Sequence, residues 1–352
     1  IVLSGIAGVQ LLAGLTMDAV ATREAVIKLL SCTLLFFLAL QLFAPAGERW
    51  WRRSAAAITI YAFALALFAI VQFFASPGLL YGVVKPRWGG YVFGPYVNHN
   101  NYAGLMELLV PVTAGLVFAL PLRHAAKPAT LFALLTCVVS TLLSGSRGGV
   151  AALLAEFVIF TAVIFRAAPA AEQRNRTLLA GLALVLVAGA AFFWLDPGGV
   201  WQRWRQLADA RELTAGDRLR MSADGLRMAR ACPALGVGLG AFATAYPRYQ
   251  SVVTDEVIDY AHNDYVQLAA EGGLPAALVT LAALPLFFCL AFRRLRSRLQ
   301  QPRGWLQLGA AVGVCGILLH SLVDFNLHIP ANAAWFAFSA AWAVAPGRKR
   351  QR

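Results

Sequence analysis

The sequence predicts an all-α, polytopic integral membrane protein with one large outward-facing loop. Of its 352 residues, 59% are hydrophobic and 13% are charged, about half of the roughly 25% charged residues of a soluble domain. The apolar residues form runs close to the roughly 20 residues that a helix needs to cross a bilayer. Each run is expected to be a helix, because a lone span in lipid must satisfy its own backbone hydrogen bonds.

The predicted spans divide into an N-terminal and a C-terminal group. About seven lie within residues 1–195 and about three within 262–352, and the polar loop 196–261 separates them. Because Ile1 already lies in an apolar run, we expect the N-terminus to be truncated. The ten predicted spans lie near 1–16, 24–44, 54–75, 102–120, 129–143, 149–165, 177–195, 274–292, 306–322 and 331–345.

The basic residues of the short loops predict the topology. Alternate loops hold 17 Lys and Arg residues against two acids. These loops lie at 48–53, 123–127, 166–176, 293–303 and 348–352. By the positive-inside rule they are cytoplasmic, so the loop 196–261 faces outward. That loop holds eight basic and eight acidic residues, which argues against a polybasic nucleic-acid-binding arm.

Two short amphipathic helices are predicted in the loop 196–261. Trp201, Trp204 and Leu207 recur at three-residue spacing, and because Trp favours the headgroup region this helix is expected to lie on the membrane. The second helix is predicted over 217–230, with Pro233 ending it. Its less polar face is expected to consist of Leu219, Ser222, Leu226 and Ala229.

Arginines at the outward face are the first candidates for a functional site. Arg147 lies in the SGSRGG turn, where a helix N-terminus and exposed glycine N–H groups favour an anion. The alternative is a tight interhelical turn whose Arg reaches the headgroups. Arg218, Arg220 and Arg227 lie on the helix predicted over 217–230, and Arg binds phosphate through a bidentate fork. The alternative for such a helix is a solvated basic face.

Histidines also concentrate at this face. His262 begins the segment AHNDYVQLAAEGGL (261–274), beside Asn263 and Asp264, where it is placed to accept a proton near neutral pH. The alternative is a His that only hydrogen-bonds the loop. His99 and Asn101, in GPYVNHNNYAG (94–104), are further candidate substrate-binding residues at the same face, as are Asn263 and Asp264.

One cluster of polar residues has a spacing that suits a metal site. His320, Asp324 and His328 are spaced four residues apart, which suits a metal if the segment is helical. Because Pro330 follows closely, we predict a turn and no metal. Glu107 and Glu156 lie within predicted spans, so each is expected to face the bundle interior, with an Arg as a candidate partner for Glu156.

Taken in order, these segments resemble the O-antigen ligase and O-antigen polymerase superfamily. The resemblance covers roughly residues 55–345. The matching segments are GPYVNHNNYAG, SGSRGG, the Arg-rich helix with GVGLGAF (217–242), AHNDYVQLAAEGGL and HSLVDFNLHIPAN (320–332). The sequence departs from the family pattern where the family often has an aromatic at Ser222 and a Gly at Pro275 or Ala276.

The resemblance implies glycan transfer at the periplasmic face of a bacterial inner membrane. The implied donor is a glycan linked through pyrophosphate to undecaprenol, and no metal or other cofactor is implied. The family's catalytic His corresponds to His262, as base for the acceptor hydroxyl, and its phosphate-binding arginines correspond to Arg147 and Arg218. Both arginines are therefore expected to bind one pyrophosphate.

The sequence is compatible with several activities. A ligase would use lipid A–core as acceptor, a polymerase another lipid-linked repeat, and a protein O-oligosaccharyltransferase a Ser or Thr side chain. A transporter or flippase is the alternative from a different class. A transporter needs a polar path through the membrane, whereas the polar groups here crowd one face, which favours chemistry at the outer interface.

The topology gives the first testable prediction. A cysteine introduced at Thr214 should react with a membrane-impermeant thiol reagent on intact spheroplasts, whereas one introduced at Gln351 should react only after lysis. Labelling of Gln351→Cys but not Thr214→Cys on intact cells would place the loop 196–261 in the cytoplasm and remove the basis for a periplasmic site.

Overall fold

The computed structural model describes most of the chain. The described residues are 1–87, 90–167, 171–195, 215–252, 254, 257–296, 298–299 and 301–346. The short helix predicted around Trp201, Trp204 and Leu207 lies outside them.

The described residues form α-helices joined by loops and short 3₁₀ turns. The α-helices are α1 (Val2–Leu12), α2 (Ala19–Phe43), α3 (Glu48–Ala75), α4 (His99–Ala119), α5 (Lys127–Leu143), α6 (Arg147–Ala167), α7 (Ala171–Leu195), α8 (Ala215–Ala231), α9 (Phe242–Ala245), α10 (Asp264–Arg296), α11 (Pro302–His320) and α12 (Pro330–Val344). The 3₁₀ turns are Tyr246–Arg248 and Asn326–His328.

The predicted all-α class is confirmed for the described residues. Every one of the ten predicted apolar runs falls on a helix. Six helices of the described part are long and apolar enough to cross a membrane, namely α2, α3, α4, α6, α10 and α11. The total of about ten spans therefore stays a prediction.

The chain folds into two compact units whose segments alternate along the sequence. The first unit contains Ile1–Ala39, Leu207–Leu290 and Ser321–Phe338. The second contains Leu40–Gln206, Ala291–His320 and Ser339–Arg352. Our division of the chain into 1–195, 196–261 and 262–352 describes spans and the loop between them, and stays a prediction.

The second unit is built around close packing of α4 against α11. Almost every residue of α4 is buried. A Cβ added at Gly309 would lie 2.2 Å from the carbonyl oxygen of Pro111, and one at Gly115 would lie 2.5 Å from that of Trp305. Glycine therefore allows the two backbones to touch, as small residues do between membrane helices, where dispersion and not water drives association.

Two carboxyl groups are buried in the second unit, as predicted for Glu107 and Glu156. The Nδ1 atom of His320 lies 2.6 Å from Glu107 Oε1. The two groups therefore form a pair, as ionisable side chains within a membrane span usually do. Neither carboxyl oxygen of Glu156 hydrogen-bonds to any described residue. The Arg that we considered as its partner is not found among them.

In the first unit, part of the large loop has its own hydrophobic core. Met221 and Met228 of α8 pack with Phe242, Tyr246 and other apolar residues of 237–261. Helix α8 confirms the predicted helix over 217–230, and it ends at Ala231, before Pro233.

The less polar face predicted for α8 is not the face that the helix buries most. Leu219 and Leu226 are 72% and 44% exposed, whereas Met221, Asp224 and Met228 are fully buried. The inward face was missed because it contains a carboxylate, which hydrophobic periodicity assigns to solvent.

The Gly-rich segment LGVGLGAF packs on a kink in α10. Gly273 interrupts this helix with φ 66° and ψ −164°, a conformation that favours glycine. The N–H of Leu274 donates to the Pro233 carbonyl at 2.8 Å, and that of Val237 to the Ala270 carbonyl at 3.0 Å. A Cβ on Gly236 would lie 2.3 Å from the carbonyl carbon of Glu271. This contact joins the large loop to the first turns of α10, the helix that His262 precedes.

Candidate functional site

The centre of the candidate site in the first unit is the carboxylate of Asp324. Its side chain is 1% exposed and lies between two candidate residues. Arg218 Nη1 is 3.4 Å from Asp324 Oδ2, and His262 Nδ1 is 3.5 Å from Asp324 Oδ1. The structure therefore brings together Arg218 and His262, which are 44 residues apart, around a buried negative charge.

The backbone fixes the orientation of this carboxylate. The N–H of Phe325 donates to Asp324 Oδ1 at 2.9 Å. Arg218 Nη1 also lies 3.4 Å from the carbonyl oxygen of Val323, and its Nε–H donates to no acceptor among the described residues. The guanidinium thus contacts the turn through one nitrogen and keeps other N–H donors for a ligand.

His262 has an uncommon backbone conformation. Its φ is +50°, which is rare for a residue other than glycine and recurs at functional sites. Neighbouring bonds hold it there, since the Ala261 N–H donates to Gln267 Oε1 at 3.0 Å and Ser222 Oγ donates to the Ala261 carbonyl at 3.3 Å. The imidazole is 11% exposed and meets Phe325 edge-on.

The His262 ring lies close to the Asp324 carboxylate. Its Nδ1 is buried and forms no hydrogen bond with the residues that the structure describes, while Asp324 Oδ1 lies at 3.5 Å. Hydrogen bonds of catalytic groups are often long in the absence of substrate and shorten in the complex. If Nδ1–H donates to Asp324, Nε2 is the nitrogen that accepts a proton.

Asn263 and Asp264 hold the two sides of the site together. Asn263 Oδ1 caps α10 by accepting the N–H groups of Tyr265 and Val266, and its Nδ2 donates to the Leu322 carbonyl at 2.9 Å. Asp264 Oδ1 accepts His328 Nδ1 at 2.6 Å. Both side chains form hydrogen bonds within the protein. Their direct contact with substrate stays a prediction.

His328 forms a second imidazole–carboxylate pair beside the first. Burial lowers its pKa, but the hydrogen bond and charge attraction from Asp264 outweigh that effect, so the pKa is raised above its ordinary value. Tyr260 lies against the His328 ring and stacks on Phe325 with centroids 4.2 Å apart. Phe325 therefore packs between Tyr260 and His262.

The other arginines of α8 have different surroundings. Arg227 donates to the buried Asp224 at 2.5 Å and to the Tyr249 carbonyl at 2.8 Å, although its side chain is half exposed. Asp224 also accepts the Tyr246 hydroxyl, so Arg227 joins α8 to the loop that follows. Arg220 is exposed. Their predicted role in substrate binding stays a prediction.

Arg147 is the first residue of α6 in the second unit. Ser146 Oγ accepts the Gly149 N–H at 3.0 Å and caps the helix. A Cβ on Gly149 would lie 2.5 Å from the Cβ of Ala103, which explains the glycine next to the turn. The Arg147 side chain is exposed and pairs with no carboxylate in the described part of the chain.

His99 and Asn101 are buried in the first turn of α4, also in the second unit. His99 Nδ1 donates to the Ser144 carbonyl at 2.9 Å, which assigns the proton to that nitrogen. His99 is thereby joined to the SGSRGG turn that positions Arg147. Direct contact of His99 or Asn101 with substrate stays a prediction.

The turn predicted after α11 is confirmed. Residues 321–325 lie between α11 and the 3₁₀ turn Asn326–His328. His320, Asp324 and His328 have separate partners, which are Glu107, Arg218 with His262, and Asp264. In the described ranges, no group of three His, Cys, Asp or Glu side chains has the arrangement of a metal site.

Comparison with known proteins identifies one stretch of the chain. Residues 132–281 match the family model described as O-antigen ligase. This stretch is therefore similar to the domain of that family. The resemblance to the O-antigen ligase and polymerase superfamily is therefore confirmed. No curated protein matches the chain.

The matched stretch contains Arg147, Arg218 and His262, whereas Asp324 lies beyond it. Sequence reasoning considered Asp324 as a metal ligand and missed its contacts with Arg218 and His262. The signal in the sequence was the Asp of VDFN (323–326), which stands between Val323 and Phe325. A carboxylate in apolar surroundings requires a hydrogen-bond donor. Which donors would supply it could not be read from the sequence.

The His328–Asp264 pair predicts a pH-dependent stability. Because the folded pKa of His328 is raised, the pair stabilises fully below about pH 6.5, the ordinary His value, and this contribution is lost as pH rises through the folded pKa. We expect His328→Gln to lower the Tm at pH 6 by about 1–2 °C, the shift for roughly 1 kcal/mol in a chain of 352 residues.

The measurement is thermal unfolding in detergent between pH 5.5 and pH 9, followed by intrinsic fluorescence. The difference between wild type and His328→Gln should shrink towards high pH. His124→Gln, a change in the predicted cytoplasmic loop, serves as the matched control. A difference that stays constant or grows with pH would contradict the proposed charge state of the pair.

Proposed function

We propose that the chain transfers a glycan from an undecaprenyl-pyrophosphate donor to an acceptor hydroxyl at the periplasmic face of the inner membrane. The observation that carries this proposal is the pair formed by His262 and Arg218 on the buried carboxylate of Asp324. An imidazole beside a guanidinium supplies a base and an anion-binding group together, and both residues lie in the stretch that matches the O-antigen ligase family model.

His262 acts as the general base. An acceptor hydroxyl is a poor nucleophile at neutral pH, so removing its proton during attack lowers the barrier. We assign this proton to His262 Nε2, while Nδ1–H donates to Asp324 and the carboxylate stabilises the imidazolium that forms. The acceptor hydroxyl is then the nucleophile, His262 the base and Asp324 the carboxylate that orients it. The same three roles recur in unrelated hydrolases.

The arginines stabilise the leaving group. As the acceptor oxygen bonds to the anomeric carbon, the bond from that carbon to the phosphate oxygen breaks, and lipid pyrophosphate leaves with the electron pair. Arg218 meets this negative charge with the guanidinium N–H groups that Asp324 does not occupy. Arg147, exposed at the N-terminus of α6, is proposed as a second phosphate-binding residue.

No metal or other cofactor is assigned a step in this proposal, because the base and the cations come from side chains. The proposed acceptor is lipid A–core, which makes the chain an O-antigen ligase. The test is transfer by purified protein from a defined undecaprenyl-pyrophosphate glycan to lipid A–core, a second lipid-linked glycan, or a Ser/Thr peptide. Product on either of the last two would assign a polymerase or a protein O-oligosaccharyltransferase instead.

The arginines are tested by charge-removing and charge-conserving changes. Arg147→Ala and Arg218→Ala should abolish transfer and weaken donor binding, while Arg147→Lys and Arg218→Lys should recover only part of both, because Lys keeps the charge but loses the bidentate fork. Arg230→Ala, at an exposed position of α8 with no assigned role, is the matched control. Full activity of both Lys variants would show that charge alone suffices.

His262 is tested by the rate of transfer from pre-bound donor. His262→Ala should lower turnover by about 10²–10⁴-fold, the usual contribution of a general base, with donor affinity retained because the arginines bind the pyrophosphate. His262→Gln should be equally slow, since Gln hydrogen-bonds but cannot take the proton. Asp324→Asn should also lower turnover. Near-normal transfer by His262→Gln, in protein shown to be folded, would remove His262 from the chemistry.

A further inference from the structure

The second unit contains a cavity at the C-terminal end of α3. Its volume is about 320 Å³, at the lower end of the roughly 300–1,000 Å³ of small-molecule pockets. The cavity is lined by Gln72, Phe73 and residues 76–78 and 90–92. Positive-inside topology places this end of α3 at the outer face, the same face as the proposed reaction.

Gln72 leaves a hydrogen-bond acceptor unused beside this cavity. The residue is 5% exposed, and its Nε2 donates to the Gly94 carbonyl at 2.9 Å. Its Oε1 is buried and accepts no hydrogen bond from the described residues. A buried amide oxygen without a donor is costly and requires an explanation. A ligand hydroxyl would supply the missing donor.

The remaining lining favours a neutral ligand with an apolar side. Phe73 and Tyr91 are aromatic, and the described lining residues carry no charged side chain. A phosphate or carboxylate would therefore find no counter-charge here, whereas a sugar ring presents C–H groups to an aromatic face and hydroxyls to an amide. Lipid tails would leave the Gln72 oxygen unsatisfied.

Contacts within the same unit connect the cavity to Arg147. The ring of Tyr91 meets that of His99 edge-on at 4.7 Å, and His99 Nδ1 donates to the Ser144 carbonyl at 2.9 Å. Ser144 belongs to the turn in which Arg147 begins α6. If the donor's pyrophosphate binds at Arg147, the sugars attached to it would therefore lie near Tyr91, which lines the cavity.

We propose that this cavity is a subsite for one or two sugar rings, bound by stacking on Tyr91 and by a hydroxyl donated to Gln72 Oε1. This proposal rests on the proposed function, because the sugar rings are those of the donor or acceptor glycan. It adds a neutral binding site to the cationic one, so that the pyrophosphate and the glycan are recognised by different groups.

The test is binding of free sugars to the purified protein, without lipid or pyrophosphate. The probes are the methyl glycosides of glucose, galactose, rhamnose, N-acetylglucosamine and N-acetylgalactosamine, observed by saturation-transfer NMR. At least one should bind wild type and the control Tyr81→Ala, an exposed aromatic of the same loop that does not line the cavity. Tyr91→Ala and Gln72→Leu should bind it at least tenfold more weakly.

Two results would overturn the proposal: no glycoside binding by folded wild type, or unchanged binding by Tyr91→Ala. Tyr91→Ala decides the question even if Gln72→Leu, which also loses its bond to Gly94, fails to fold. Arg147→Ala should retain glycoside binding, because the sugar site is neutral. A wild type that binds the glycoside through Tyr91 but transfers no glycan would refute the proposed function and leave the sugar site standing.

Transfer kinetics then distinguish the two possible sources of the sugar. If the subsite holds the donor glycan, Tyr91→Ala should raise the donor KM about tenfold, with kcat and the acceptor KM unchanged. If it holds the acceptor glycan, the acceptor KM should rise instead. Either result supports a sugar subsite, whereas unchanged KM values for both substrates would show that the cavity takes no part in the transfer.

Discussion

Buried carboxylates hold the polar part of the first unit together, because a carboxylate removed from water is costly unless donors surround it. Glu271 accepts N–H groups from the Gly-rich loop, and Asp224 accepts Tyr and Ser hydroxyls from the next turns. Asp264 accepts the Leu327 N–H, and Asp324 accepts an N–H of Arg218. Each carboxylate joins segments that are distant in sequence. The loops therefore adopt the conformations that satisfy these four groups.

This constraint also explains how the proposed reacting groups are positioned. The start of α10 supplies the imidazole of His262 and the carboxylate of Asp264, while the turn 323–328 supplies the carboxylate of Asp324 and the imidazole of His328. Each segment places a carboxylate beside a histidine of the other, and the His328–Asp264 hydrogen bond joins the two segments. A general base depends on geometry first, so this arrangement suits the role proposed for His262.

The helices were predictable because apolar runs of this length have few alternatives in a membrane. The face that α8 buries was not, because Leu219 and Leu226 point outward while Asp224 is satisfied by Tyr246 and Ser251 inside. The same holds for Gln10, which is fully buried in α1 and hydrogen-bonds the Leu239 N–H and the Glu271 carbonyl, more than 200 residues away. Periodicity carries no information about such pairs, since they depend on tertiary contacts.

The proposed chemistry is the same for every acceptor, and this determines where specificity must lie. Deprotonating a hydroxyl and stabilising a pyrophosphate require His262 and the arginines whether the hydroxyl belongs to lipid A–core, to a growing glycan or to a protein. Discrimination among acceptors is a difference in binding free energy, so it has to come from surfaces that contact the rest of the acceptor. The exposed Leu219, Leu226 and Arg220 lie on the same helix as Arg218. Exchanging residues on this face is therefore expected to change which acceptor is used without changing how the bond is formed.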